Sequence, residues 1–125
     1  MLDQAPARVS LHRPAGPGGV VVCRLAGEID IDDRPAVVTA FARAVDRATT
    51  AVVVDCERLA FCDSTLLNAL IRLRRDTAAS GLGLVLAAPT PQLHRLLELT
   101  GAVSLLSTQP TLDRALDRLL AERTV

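Results

Sequence analysis

Residues 51–73 read AVVVDCERLAFCDSTLLNALIRL, and the change of period along this stretch decides the fold. Ala51 to Val54 is a continuous run of small and β-branched residues ending in Asp55, the pattern of a strand covered on both faces. Such a strand belongs at the centre of a sheet. From Thr65 to Ala79 the period turns helical, with Leu66, Leu67, Leu70, Ile71 and Leu73 on the apolar side, and Ser80-Gly81 stops it. Glu57 to Asp63 reads as the connection between the two. Asp63-Ser64-Thr65 then offers short side-chain oxygens to the unpaired N–H groups of the first helical turn.

Toward the N-terminus, Arg8 to Arg13 alternates, with Val9 and Leu11 on one face and Ser10 and His12 on the other, the signature of a half-buried edge strand. Pro14 to Gly19 supplies a turn, and Val20 to Ala26 gives a second, more apolar strand, so a hairpin is expected. Gly27-Glu28-Ile29-Asp30 closes it. Asp32 or Asp33 is placed to cap a helix whose first turn accepts Pro35, with Val38, Phe41, Val45 and Ala48 as its apolar face.

Toward the C-terminus, Leu84 to Ala88 reads as another buried strand, and Thr90-Pro91 opens a helix through Leu93, Leu96, Leu97 and Thr100 that Gly101 ends. Val103 to Ser107 is expected as a short last strand. Pro110 and Thr111 start a final helix with Leu112, Ala115, Leu116, Leu119 and Leu120 inward. Strands alternating with helices after one hairpin make an α/β domain over 8–122, with short tails at 1–7 and 123–125. In such a domain a site is expected at the carboxyl ends of the strands, which singles out Asp30, Asp32, Asp33, Asp63, Ser64 and Thr65.

Composition removes whole classes of chemistry. The chain has 125 residues, enough for one domain with its own core. All 14 basic residues are Arg, so there is no Schiff-base lysine and no phosphate-gripping P-loop lysine. Fourteen acids balance them, which leaves no overall field to attract nucleic acid or an acidic membrane surface. No apolar run approaches the ~20 residues that span a bilayer, and MLDQAPARVS lacks the form of a secretory signal, so a cytoplasmic protein is expected. Three cysteines, Cys23, Cys56 and Cys62, are an odd number without CxxC spacing, which points to reduced thiols rather than disulfides or zinc.

No catalytic constellation emerges. Ser64 lacks an adjacent base, since His12 falls on the edge hairpin and His94 inside a helix, where Glu98 four residues on is its natural partner. Asp32 and Asp33 read as caps rather than metal ligands, and Asp63 beside Cys62 would raise that thiol's pKa. A phosphate on Ser64, by contrast, would sit against helix-terminal N–H donors while adding a charge near −2 beside Asp63. That is a switch without refolding.

Three segments in order resemble one known family. Leu25-Ala-Gly-Glu-Ile-Asp30, Leu59-Ala-Phe-Cys-Asp-Ser-Thr65 and Leu93-His-Arg-Leu-Leu-Glu-Leu-Thr-Gly101 resemble the strand-end, phosphorylation-loop and late-helix motifs of STAS domains, in particular bacterial anti-sigma factor antagonists. The resemblance implies a single domain with an N-terminal hairpin and a mixed, mostly parallel sheet carrying about four helices. It implies a non-enzymatic, cofactor-free and metal-free regulator, monomeric or weakly dimeric, that binds an anti-sigma factor of the serine-kinase type and frees a sigma factor. ATP would be bound by that partner. Ser64, and less so Thr65, matches the phosphorylated position, with Glu28, Asp30, Asp32, Asp63, Ser64, Thr65, Leu66 and Asn68 on the docking surface. Leu66 stands where the family usually has Gly, and Asn68 at another position that is often Gly, so bulk is expected where the kinase approaches. The alternative is a STAS scaffold module with a constitutive, unphosphorylated surface. A nucleotide-binding reading lacks support, because Gly16, Gly18 and Gly19 fall in the hairpin rather than between strand and helix.

Overall fold

The computed structural model describes residues 8–123, so the tails expected at 1–7 and 123–125 lie outside the described residues, apart from the backbone of Arg123. The chain runs β1 (Val9–His12), β2 (Val20–Ile29), a 3-10 turn (Ile31–Asp33), α1 (Arg34–Arg47), β3 (Ala51–Cys62), α2 (Ser64–Ala79), β4 (Gly83–Ala87), α3 (Pro91–Thr100), a second 3-10 turn (Ala102–Leu105), β5 (Ser107–Gln109) and α4 (Leu112–Arg123). The five strands lie in the order β1-β2-β3-β4-β5. Only β1–β2 is antiparallel, which is the expected hairpin, and the other pairs are parallel.

The β3 strand is central, with Ala51 to Cys56 fully covered. Val52 and Val54 look toward α1, α2 and α3, while Ala51 and Val53 look toward Ala115 and Leu119 of α4 on the other face. A strand between two layers has no solvent side, and that is why the run is apolar without alternation.

The connection expected at Glu57–Asp63 is instead the second half of β3. Its pairing with β2 shifts twice, between Arg24 and Ala26 and between Gly27 and Glu28, and each shift gives β3 an additional residue. Each such bulge breaks the period-2 pattern. Asp55 and Cys56 are consecutive buried residues, Glu57 and Arg58 consecutive exposed ones, and Ala60 and Phe61 exposed again. On the β2 side Gly27 takes φ +73° at the second shift, a left-handed conformation that disfavours other residues. Strand β2 therefore runs on through Gly27 to Ile29 instead of closing there.

Other expectations shift by a residue or two. The buried face of α1 is Val37, Phe41 and Ala44, continued by the buried Ala48 just past its end; it is rotated from the expected Val38, Phe41, Val45 and Ala48, and Val38 and Val45 are half-buried at its margin. Val103 lies in the second 3-10 turn, and the last strand begins only at Ser107. Leu120 is 50% exposed, and the buried line of α4 is Ala115 and Leu119, with Leu112 and Leu116 half-buried beside them. Gly101, at φ +78°, ends α3 as its sequence position implies.

Candidate functional site

Strands β2, β3 and β4 each hand over directly to a helix at the same edge of the sheet. Asp30 Oδ1 accepts from the Asp32 N–H at 3.0 Å, and Asp33 Oδ2 accepts from the Asp30 N–H at 2.9 Å, closing a reciprocal cap on the first 3-10 turn. Asp63 Oδ1 accepts from the Thr65 N–H at 2.8 Å and caps α2. Thr90 Oγ1 accepts from the Leu93 N–H at 3.2 Å and caps α3.

Asp33, one of the two expected caps, holds the N-cap position of α1, but the side-chain capping bond is made one turn earlier by Asp30. Asp33 makes no capping bond to α1; it binds the Asp30 amide and pairs with Arg8 at 3.1 Å. The amide first, and then the Arg8 charge, hold the Asp33 carboxyl below the usual carboxylate range. It is ionised across neutral pH.

Parallel pairing of Ile29 with Cys62 puts the next residues, Asp30 and Asp63, side by side, about one strand spacing or ~5 Å apart. Both have the same extended backbone, φ −128° and −125°. Asp32 and Glu28 are exposed around them, so the surface is acidic. It is also apolar: Ile31 is 66% and Phe61 44% exposed. Phe61 faces out because the second bulge turns it there, paired with Glu28 across the sheet.

Ser64 is exposed as the first residue of α2, and Asn68 is exposed one turn later. Thr65 is 8% exposed and Leu66 fully buried. The Leu66 side chain packs into the core with Leu67 and Leu70, so it adds no bulk to the surface, and the expected docking role of Leu66 is corrected on that ground. Gln92, which the sequence pattern does not mark, joins the site. Its Oε1 accepts the Cys62 N–H at 3.1 Å, tying the start of α3 to the end of β3. The signal for it is non-local, thirty residues along the chain, and nothing in the local pattern marks it.

The histidines lie apart from this edge. His12 Nε2 is 2.8 Å from Ser10 Oγ on the sheet's outer strand, and His94 pairs with Glu98 at 3.7 Å on α3. Among the described residues, no group of three or more His, Cys, Asp or Glu could hold a metal ion, and no helix is long and apolar enough to cross a membrane.

Cys23, Cys56 and Cys62 are free and buried. Burial pushes the Cys23 thiol up to about 12, raises Cys56, and raises Cys62 together with the Asp63 charge. Thiolate is therefore scarce at neutral pH in the folded state. A thiol reagent such as DTNB at pH 8 is expected to label none of the three within minutes in the native protein and all of them in denaturant. Rapid native labelling of Cys62 would show that its end of β3 opens.

The sequence matches a family model described as "Mlab, STAS domain" over residues 12–107. No curated protein matched. The fold is similar to that of an anti-sigma factor antagonist from Mycobacterium paratuberculosis, at 28% identity and TM-score 0.74 over 92% of this chain and 97% of that one. It is also similar to the Bacillus cell fate determinant SpoIIAA in its phosphorylated form, at 24% identity and TM-score 0.70 over 89% of this chain and 98% of that one. A Ser-to-Glu variant of RsbS from Moorella thermoacetica shares the fold at 19% identity and TM-score 0.79, over 95% of this chain and 100% of that one. The matched region takes in strands β2 to β4, all three strand-end caps and helices α1 to α3, and with that span accounted for, the chain belongs to the STAS domain family.

Proposed function

We propose that this chain is an anti-sigma factor antagonist. Its docking face is the edge formed by Glu28, Asp30, Ile31, Asp32, Phe61, Asp63, Ser64 and Asn68, and its partner is an anti-sigma factor of the serine-kinase type that supplies its own ATP. Phosphorylation of Ser64 by that partner releases the complex. The observation that carries this reading is the contrast between neighbouring hydroxyls: Ser64 is exposed at the first position of α2, while Thr65 is 8% exposed and faces inward. A kinase can reach the first and not the second.

Two further points support it. The Mycobacterium paratuberculosis protein of the same fold is an anti-sigma factor antagonist, and the SpoIIAA structure is of a phosphorylated form. A phosphate on Ser64 would also meet the N-terminal N–H groups of α2, so the domain tolerates it without unfolding.

The test is a pull-down from native lysate with wild type, Ser64→Ala and Ser64→Asp as baits, read by mass spectrometry. A kinase-fold protein is expected with wild type and Ser64→Ala and not with Ser64→Asp. Capture of the same protein by all three would reduce Ser64 to a helix residue and overturn the switch. A scaffold module is the second reading, favoured by the exposed Leu99, Val103 and Leu105 around the end of α3. A discrete large assembly in light scattering would support it.

A further inference from the structure

The outer edge of β1 borders an open groove of about 630 Å³ between β1 and α1. Strand and helix run in the same direction and are pinned at both ends. At one end Arg8 pairs with Asp33 at 3.1 Å, and at the other the Arg13 guanidinium donates to the Arg47 carbonyl at 3.4 Å.

The register determines which backbone groups of β1 face outward. The Ala26 N–H donates to the Arg8 carbonyl at 2.9 Å, and Ser10 stands opposite Arg24. Arg8, Ser10 and His12 therefore bond to β2, and by the alternation of an antiparallel ladder the N–H and C=O of Val9 and Leu11 point away from the sheet. Among the described residues these are open ladder positions on an edge strand.

The groove is graded in charge. Ala36, Ala40, Arg43 and Arg47 fall at i, i+4, i+7 and i+11, a single stripe of α1 along the groove. Near Val9 the lining is Pro35, Ala36, Thr39 and Ala40, small and mostly apolar, and Arg8 at that end of β1 is neutralised by Asp33. At the far end Arg43 and Arg47 line the groove beside Arg13, and none of the three forms an ion pair among the described residues. Asp46 is on α1 but off this stripe. A second copy added antiparallel along β1 would set this basic end against its partner's charge-neutral Val9 end, leaving the three cations without counter-ions.

We infer that the β1–α1 groove binds an extended acidic peptide segment of a partner protein, which adds as a strand antiparallel to β1 with alternate side chains over the groove. Backbone bonds to Val9 and Leu11 supply the ladder, apolar side chains cover Val9, Ala36 and Ala40, and carboxylates meet Arg13, Arg43 and Arg47. Alternate residues spaced by two reach the groove, so the recognised pattern is acid-x-acid-x-apolar-x-apolar in the N-to-C direction. The site is separate from the Ser64 face and does not depend on the function proposed above.

The probe is fluorescein-labelled Glu-Thr-Glu-Thr-Val-Thr-Val, amidated, with a Lys-Thr-Lys-Thr-Val-Thr-Val control, titrated by anisotropy against the full chain. The acidic peptide is expected to bind at least tenfold more tightly than the control, to lose tenfold or more in Arg43→Glu/Arg47→Glu, and to weaken with salt. Hydrogen exchange at the Leu11 amide, fast in the free protein, is expected to slow at least tenfold in the complex. Three outcomes overturn the inference: no binding at 1 mM protein, binding with no protection of Leu11, or self-association through β1 that excludes the peptide. Both arginines are exposed and unpaired, so the double variant is expected to stay folded, which a thermal melt checks.

Discussion

Ser64→Asp is expected to lower affinity for the anti-sigma partner by roughly 100-fold, equivalent to about 2.7 kcal/mol, while moving the thermal midpoint by less than about 2 °C. The stability side follows from position. An aspartate at the first residue of a helix gains roughly 0.3–1 kcal/mol from the positive end of the dipole, and repulsion from Asp63 next to it opposes that gain. The two nearly cancel at an exposed site. The binding side follows from what surrounds Ser64. A partner that covers this edge must already place its cations and donors on Asp30, Asp32 and Asp63, and packing over Ile31 and Phe61 expels water. A further charge in that dry region is desolvated with no counter-ion aimed at it, and an uncompensated buried charge costs several kcal/mol. Thr65→Asp should do the reverse. At 8% exposure its carboxylate would be buried against the core, which the helix dipole offsets only in part, and a drop of the midpoint by about 8 °C is expected. Isothermal calorimetry and melts on both variants separate the two cases. Equal losses of stability would place Ser64 inside the fold's own framework.

What could be read from the sequence follows how local its cause is. Helices α2 and α3 and their caps were visible because Asp63, Thr90 and Gly101 act on groups within a few residues, and the period of Leu66, Leu70 and Leu73 is intrinsic to the helix. Asp30 and Asp63 stood out singly for the same reason, but their adjacency comes from the parallel pairing of Ile29 with Cys62, which no local pattern carries. The second half of β3 was hidden by its two bulges. Each replaces alternation by a buried or exposed doublet, so a strand looks like a loop, and the exposure of Phe61 is a product of that geometry. The apolar face of α1 was off by one residue because its alanines and valines satisfy helical spacing in two rotations; packing selects the one that sets small Ala44 against the sheet. The helical spacing of α4 extends to Leu120, yet its buried residues are Ala115 and Leu119, because which of the spaced apolar residues is covered depends on the sheet beneath and not on the period alone.

The bulge in β3 rests on Asp55, and Asp55→Ala is expected to cost about 3 kcal/mol, a large share of a total near ~5–15 kcal/mol. The side chain is 3% exposed and does two tasks. Its Oδ2 meets Arg24 Nε at 3.3 Å across the β2–β3 pair, and its Oδ1 accepts the Glu57 N–H at 3.1 Å, an amide that the register shift removes from the ladder. Removing the carboxylate leaves a half-buried guanidinium unpaired and a part-buried amide without its acceptor, for which the roughly 1–3 kcal/mol of a fully buried unsatisfied group is an upper limit. Arg24 remains partly open to water, which keeps the sum below the upper limit for a buried pair. The midpoint should fall by roughly 10 °C. Asp55→Asn keeps an acceptor for Glu57 and should lose less. Arg24→Leu should be as damaging as Asp55→Ala, since it strands a carboxylate inside, whereas Arg24→Leu with Asp55→Leu should recover part of the loss, because the desolvated charges go together and only the Glu57 amide stays unpaired. A midpoint shift under about 3 °C for Asp55→Ala would mean that the bulge is held by strand pairing alone. Because the register shift next to Asp55 precedes the one that turns Phe61 outward and sets the exit of β3 into Ser64, loosening it should also weaken partner binding. Asp55→Asn is the variant in which that second effect can be measured on a folded protein.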